Sequence, residues 1–139
     1  MIIKVIKHKE LTEDNKKEIV GLMNVLSSNC SVDIERAMER DNNTCIIACE
    51  NNKIVGVVML IEVNAFTAKI GLIDEVVVNQ NYRKQGIAFK MIEEAIRIAK
   101  ERKIDLLKVD TRIDNPSNSL YKKVGFIKRE DNLYKLFLK

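Results

Sequence analysis

Two stretches hold most of the residues able to do chemistry. The first, "NQNYRKQGIAFKM" (79–91), sets Arg83 and Lys84 ahead of Gly86 and runs directly into an apolar-striped segment. A tight glycine-containing turn that feeds a helix leaves the first helical amides without acceptors, at the positive end of the helix dipole. Phosphate binds well at such a place. The donors here come from Arg83, Lys84, Gln85, Gly86, Ile87 and Ala88. Gly86 and the small Ala88 permit close backbone approach, and the two cations add charge. The bland alternative is a solvated turn. Neither the dinucleotide nor the P-loop fingerprint is present, because no second glycine precedes Gly86 and no Gly-Lys-Ser/Thr follows it.

The second stretch is "DNPSNSLYKKVGF" (114–126). Asn115 is placed to cap a helix, Pro116 suits its first position, and Gly125 followed by Phe126 suits a left-handed end with a hydrophobic contact. That predicts a two-turn helix over 116–124. Leu120 and Val124, at i and i+4, are expected to face the core, which turns Tyr121 to the flank over Ser117. A tyrosine so placed is either an amphipathic edge residue or a hydroxyl aimed at a ligand.

The elements that must position these residues follow from periodicity. "IIKVIK" (2–7) predicts a strand. Apolar residues at helical spacing predict a helix over Glu13–Ser27 behind the cap Thr12, and Ser31 is expected to open a second short helix to about Asp41. "TCIIACE" and "KIVGVVMLIEV" are β-branched runs joined by Asn51-Asn52, a pair that tolerates the positive φ of a tight hairpin. After the loop "NAFTA", "KIGLIDEVVVN" is a further strand ending at the bend. Residues 87–102 carry an apolar stripe about 24 Å long. "DLLKVDT" predicts a buried strand, and "FIKRE" with "LYKLFLK" a closing hairpin. The order β-α-α-β-β-β-α-β-α-β-β describes one α/β (α+β) domain over 1–139.

Bulk properties agree with a globular enzyme-sized unit. A chain of 139 residues buries roughly 68% of the surface it exposes when unfolded, so it needs no disulfide or metal to fold. No apolar run approaches the ~20 residues of a membrane span. The first ten residues lack a secretory pattern, which with three unpaired cysteines predicts a cytoplasmic protein. Cys45 and Cys49 lie about 13 Å apart along a strand, too far for a disulfide. With one histidine, remote from them in sequence, a metal site is not expected. The net charge of +4 is scattered, and aromatics make up 5% of the chain, so nucleic acid is not an expected partner.

Taken together, the two stretches resemble the GNAT superfamily of acetyl-CoA-dependent N-acetyltransferases. The family's cofactor loop, Gln/Arg-x-x-Gly-x-Gly/Ala, is matched by Arg83, Gly86 and Ala88 after the strand "VVV". Its later motif, Leu-Tyr-x-Lys-x-Gly-Phe, is matched by Leu120, Tyr121, Lys123, Gly125 and Phe126. The resemblance implies a mixed central sheet of about seven strands with about four helices. It implies acetyl-CoA as cosubstrate, with its pyrophosphate on the amides of 83–88 and its pantetheine arm along the backbone of Val76, Val77 and Val78. It also implies that this strand and "DLLKVDT" splay apart around the thioester.

The implied reaction is attack of an amine on the thioester carbonyl. A lysine-like amine is free base in only about one molecule in 2,500 at pH 7, a deficit of about 4.6 kcal/mol, so a base is needed. Glu75 is the first candidate, Asp110 the rival and Asp74 the third. The resemblance places Tyr121 as general acid to the departing thiolate. The family's cofactor-contacting Asn falls on Asp114 by counting back from Tyr121, one place before Asn115, so the role stays open between them.

The expected substrate is a small-molecule or peptide amine. Asp33, Glu35, Glu39, Glu62, Asp74 and Glu75 suggest a cationic one such as a polyamine, an amino sugar or a peptide amine, unless these acids merely face water. Pairing of two copies into a homodimer stays open, as does the contrasting reading of a non-catalytic acyl-CoA-binding module.

Overall fold

A computed structural model describes residues 1–28 and 30–139. Five strands, β1 (Ile2–Ile6), β2 (Asn43–Glu50), β3 (Lys53–Asn64), β4 (Lys69–Val78) and β5 (Leu106–Val109), form one sheet in the order β1-β2-β3-β4-β5. The first three pairings are antiparallel and β4–β5 is parallel. Four α-helices accompany it: α1 (Glu13–Leu26), α2 (Ile34–Met38), α3 (Ile87–Glu101) and α4 (Asn118–Val124). No helix among the described residues is long and apolar enough to cross a membrane.

The helices cover the sheet from both sides. On one face Ile19, Leu22 and Met23 of α1 pack on Ile47, Val57 and Met59. On the other, Met91, Ile92 and Ala95 of α3 pack on Ile46, Val58 and Leu60. Each such buried side chain contributes about 1.5–3 kcal/mol of transfer free energy, which is what holds α1 and α3 against the strands.

Local signals form as the residues predict. Thr12 accepts a hydrogen bond from the Asn15 amide and starts α1. Asn51 and Asn52 take φ of 50° and 65° and close the β2–β3 hairpin. Gly125 ends α4 at φ 110°, and Phe126 sets its ring edge-on to Tyr121 with centroids 5.8 Å apart.

Several expectations are corrected. The sheet has five strands, because the segment after Gly125 forms no ladder and Ile127, Tyr134, Leu136 and Phe137 are exposed. β5 is therefore an edge strand, with Leu106 exposed, and not a buried one. The second helix opens at Asp33, whose carboxylate accepts from the Arg36 amide at 3.0 Å, not at Ser31. The last helix begins at Asn118, because Asn115 spends its side chain on a turn with the Ser117 amide and hydroxyl.

Candidate active site

The centre of the site is an irregularity in β4. The β3–β4 ladder runs Val57↔Val77 and then Met59↔Asp74, so β4 holds one residue more than β3 between these pairs. Glu75 sits in that bulge with φ 52°, a left-handed conformation that costs about 1–2 kcal/mol for a residue with a Cβ. The bulge reverses the alternation. Ile73 faces the α3 side, and beyond the bulge Val76 and Val78 face it while Val77 turns to the α1 side. The Asp74 carboxylate accepts the Glu75 N–H at 2.8 Å and supports the turn.

The same point marks a divergence of strands. β5 pairs with β4 only from Ile70↔Leu106 to Ile73↔Val109, while β3 follows β4 to Val78. From Asp74 onward the β5-side edge of β4 has no ladder partner among the described residues. Asp74 and Asp110 line the cleft that opens there, with Lys108 beside them.

Glu75 lines a separate cavity of about 270 Å³ between α1, α2 and the sheet. Met23, Leu26, Met38, Cys45, Val57 and Met59 form its apolar wall, and Asp33 and Arg36 also border it. Glu75 is exposed by area but closely surrounded by protein. That desolvation, and after it the charge of Asp74, raise its carboxyl above the ordinary range, with Arg36 pulling the other way. Burial, with a smaller contribution from Glu75, pushes the Cys45 thiol up to about 12.

At the far end of β4, Val78 leads into a short turn and then the bend. Arg83 Nε donates to the Val78 carbonyl at 3.1 Å and pins it. Lys84 and Gly86 are left-handed, at φ 64° and 76°. Alternating hands of this kind make a concave row of amides suited to an anion. The first helical bond runs from the Lys90 N–H to the Gly86 carbonyl. The amides from Lys84 to Phe89 donate to no backbone carbonyl among the described residues. A Cβ built on Gly86 would meet nothing within 4 Å, so the space before these amides is open. A diphosphate fits that cradle.

Tyr121 is not on the helix flank. It is 6% exposed and belongs to the core on the α3 side, packed on Phe126. Burial raises its hydroxyl pKa above the usual value, a hydrogen bond with Ser117 lowers it, and the charge of Asp74 raises it further. Asn115 is exposed on the 111–118 turn, and Asp114 pairs with Arg112 at 3.4 Å.

Of the six acids expected around the acceptor, only Asp33 and Glu75 border the cavity. Glu35 pairs with His8 at 2.6 Å. Glu62 is 6% exposed and held by Arg102 at 2.8 and 2.6 Å. The cation-selecting cluster is therefore absent from this cavity. Two residues escaped the reading of the sequence. Arg36 of α2 borders the same cavity as Glu75 and pulls its carboxyl pKa down, which nothing in the sequence signals. Asn118 bonds Thr111 and the carbonyls of Arg112 and Ile113, and its place among the Asn and Ser residues at the start of α4 is the only hint of that role.

Comparisons with known proteins bear on the family and the fold. Residues 11–126 match the model of the Acetyltransferase (GNAT) family. The N-alpha-acetyltransferase 30 of Schizosaccharomyces pombe is 30% identical over 94 residues, 66% of this chain, which spans 62% of that relative's length. An aminoglycoside acetyltransferase from an uncultured soil metagenomic sample, solved with trehalose, superposes with a TM-score of 0.85 at 18% identity, covering 99% of this chain and 95% of that one. The glucosamine-6-phosphate N-acetyltransferase of Arabidopsis thaliana gives 0.80 at 20% identity, with 99% of each chain covered. With the bulged β4, the divergent β5 and the open amide cradle already in place, the match over most of its length means that this chain belongs to the GNAT family of acetyltransferases.

Proposed function

We propose that residues 1–139 act as one N-acetyltransferase domain that moves the acetyl group of acetyl-CoA to a primary amine by direct attack. The observation that carries this reading is the sequence of features along β4. An unpaired edge, a carboxylate aimed into a cavity and a row of open amides lie in order on one strand and the bend that follows it.

Acetyl-CoA supplies an electrophilic thioester carbon and a thiolate leaving group. The amides of Lys84 through Ala88 hold its diphosphate, with Arg83 fixing the bend and adding charge. The β5-side edge of the backbone at Val76, Val77 and Val78 carries the pantetheine arm, and Asn115 lies on the turn nearest α4 as a further contact. Glu75 takes a proton from the attacking nitrogen, directly or through a water, as the new C–N bond forms. Its raised pKa brings its basicity toward the operating pH. When the C–S bond breaks, Tyr121 gives its hydroxyl proton to the sulfur; its raised pKa keeps that proton in place until then.

Direct attack is favoured over an acetyl-enzyme. Among the described residues Cys30 and Cys45 border the cavity; the Cys45 thiol, pushed up to about 12, is protonated and a poor nucleophile, and the Cys30 thiol is engaged with the Met23 carbonyl at 3.6 Å. Asp74 and Asp110, which line the β4–β5 cleft, are the alternative candidates for the base.

The test is incubation with acetyl-CoA and a panel of primary amines, read as free thiol and as acetylated product by mass spectrometry. Thiol release matched to product is expected. Stabilisation by acetyl-CoA with no amine acetylated would instead indicate a non-catalytic acyl-CoA-binding module.

A further inference from the structure

We propose that the acceptor is a singly charged primary amine with an apolar side chain on the amine-bearing carbon, and that the cavity beside Glu75 encloses that side chain. The proposal rests on the acetyltransferase reading above and narrows it.

Most of the cavity wall is thioether and aliphatic, including Met23, Met38, Val57 and Met59, with Ser27 and Ser31 as its hydroxyl groups. An acceptor amine delivered to Glu75 must lay its substituent on this wall. A sugar would press hydroxyls against it, and each buried hydroxyl left unpaired costs about 1–3 kcal/mol. An aliphatic group gains about 0.8 kcal/mol for each methylene it buries there. Unbranched methionines also adapt to side chains of differing shape.

Charge points the same way. Among the described residues Glu75 and Asp33 are the only acids bordering the cavity, and Arg36 is the only cation. Asp33 already accepts the Arg36 amide as the cap of α2. The balance accommodates one ammonium group. A polyamine would bring further cations toward Arg36 with no carboxylate left to receive them.

Size is the third constraint. About 270 Å³ lies just below the roughly 300–1,000 Å³ of sites that enclose whole drug-sized ligands. A volume of that size has room for a side chain of several carbons.

The same chemistry is offered by a peptide amino terminus and by a small free amine. The experiment compares kcat/KM at saturating acetyl-CoA for leucinamide, a Leu-initiated peptide, glycinamide, glucosamine and spermidine. Leucinamide is expected to exceed glycinamide by about 10-fold or more, the value of a few methylenes in an apolar pocket. Glucosamine and spermidine are expected to fall below glycinamide. A peptide faster than leucinamide assigns the amine to peptide termini, and a slower one to small amines. Ala37→Phe, on the cavity side of α2, should erase the leucinamide preference.

Equal rates for leucinamide and glycinamide, or preference for spermidine or glucosamine, would overturn the proposal while leaving the acetyltransferase reading intact. If no amine is acetylated, that reading fails, and calorimetry with CoA present still decides the cavity. Leucinamide binding that Ala37→Phe weakens upholds the proposal, and no leucinamide binding ends it.

Discussion

The backbone N–H of Glu75 donates to the carboxylate of Asp74 at 2.8 Å, joining two adjacent acids that serve different spaces. Asp74 lines the β4–β5 cleft and Glu75 the cavity under α2. The bulge makes this divergence, since in a regular strand neighbours point to opposite faces but remain on one ladder. The negative charge of Asp74 also acts on both proposed proton carriers, Glu75 and Tyr121.

Asp74→Asn keeps an acceptor for the Glu75 amide and removes the charge. Asp74 raises the pKa of Glu75 and of Tyr121, so its loss lowers both. A base must be deprotonated and an acid protonated, which sets the acid limb of the kcat/KM profile by Glu75 and the alkaline limb by Tyr121. Both limbs are expected to move to lower pH. A profile fixed at both ends would remove at least this electrostatic link.

Tyr121→Phe keeps the ring that packs on Phe126 and deletes only the hydroxyl. Turnover is expected to fall by about 100-fold or more, the typical contribution of a positioned proton donor. Acetyl-CoA affinity by calorimetry should change little. Undiminished kcat would take Tyr121 out of the reaction.

Gly86→Val places a branched side chain in a left-handed position, at about 1–2 kcal/mol, and in the open space before the α3 amides. Acetyl-CoA raises the melting temperature of the native protein in this account, and the variant should lose that rise. Gly21→Ala, in α1 where a Cβ meets nothing, is the control that should retain it.

Glu62→Gln tests the ion pair that replaces an expected substrate contact. Losing the charge-assisted bonds to Arg102 should cost about 1.5–3 kcal/mol in denaturant unfolding. Hydrogen bonding by Arg102 holds the Glu62 carboxyl below its ordinary range. Its contribution is therefore present above the unfolded pKa of about 4.3 and is lost as pH falls through the lower folded value. The native protein and the variant should converge in stability at that acid end. Turnover at neutral pH should be unaffected by this site.

Local chemistry was legible in the residues alone. Thr12, Asn51-Asn52, Gly86 and Gly125 each act through dihedrals and hydrogen bonds that span four residues or fewer, and each stands in the structure at its predicted place. The α3 stripe was equally plain, because a 15-residue helix repeats its apolar face four times over. The open amides of the bend follow from those two facts from Lys84 onward, whereas the Arg83 amide, expected among the donors, bonds the Gln80 carbonyl at 3.4 Å.

What the tertiary structure alone decided is non-local. In "IDEVVV" nothing marks which residue the bulge takes, since register depends on the partner strand. In the seven-residue α4, Leu120, Tyr121 and Val124 leave the buried face ambiguous, and the contact with Phe126 and the α3 core draws Tyr121 inward. The alternation in "LYKLFLK" suits a strand, but a strand exists only where a ladder receives it. Of the acids scattered from Asp33 to Glu75, Asp33 became a helix cap, Glu35 and Glu62 ion pairs, and Asp74 and Glu75 the borders of two separate spaces, because charge is assigned by neighbours that the chain brings together only on folding.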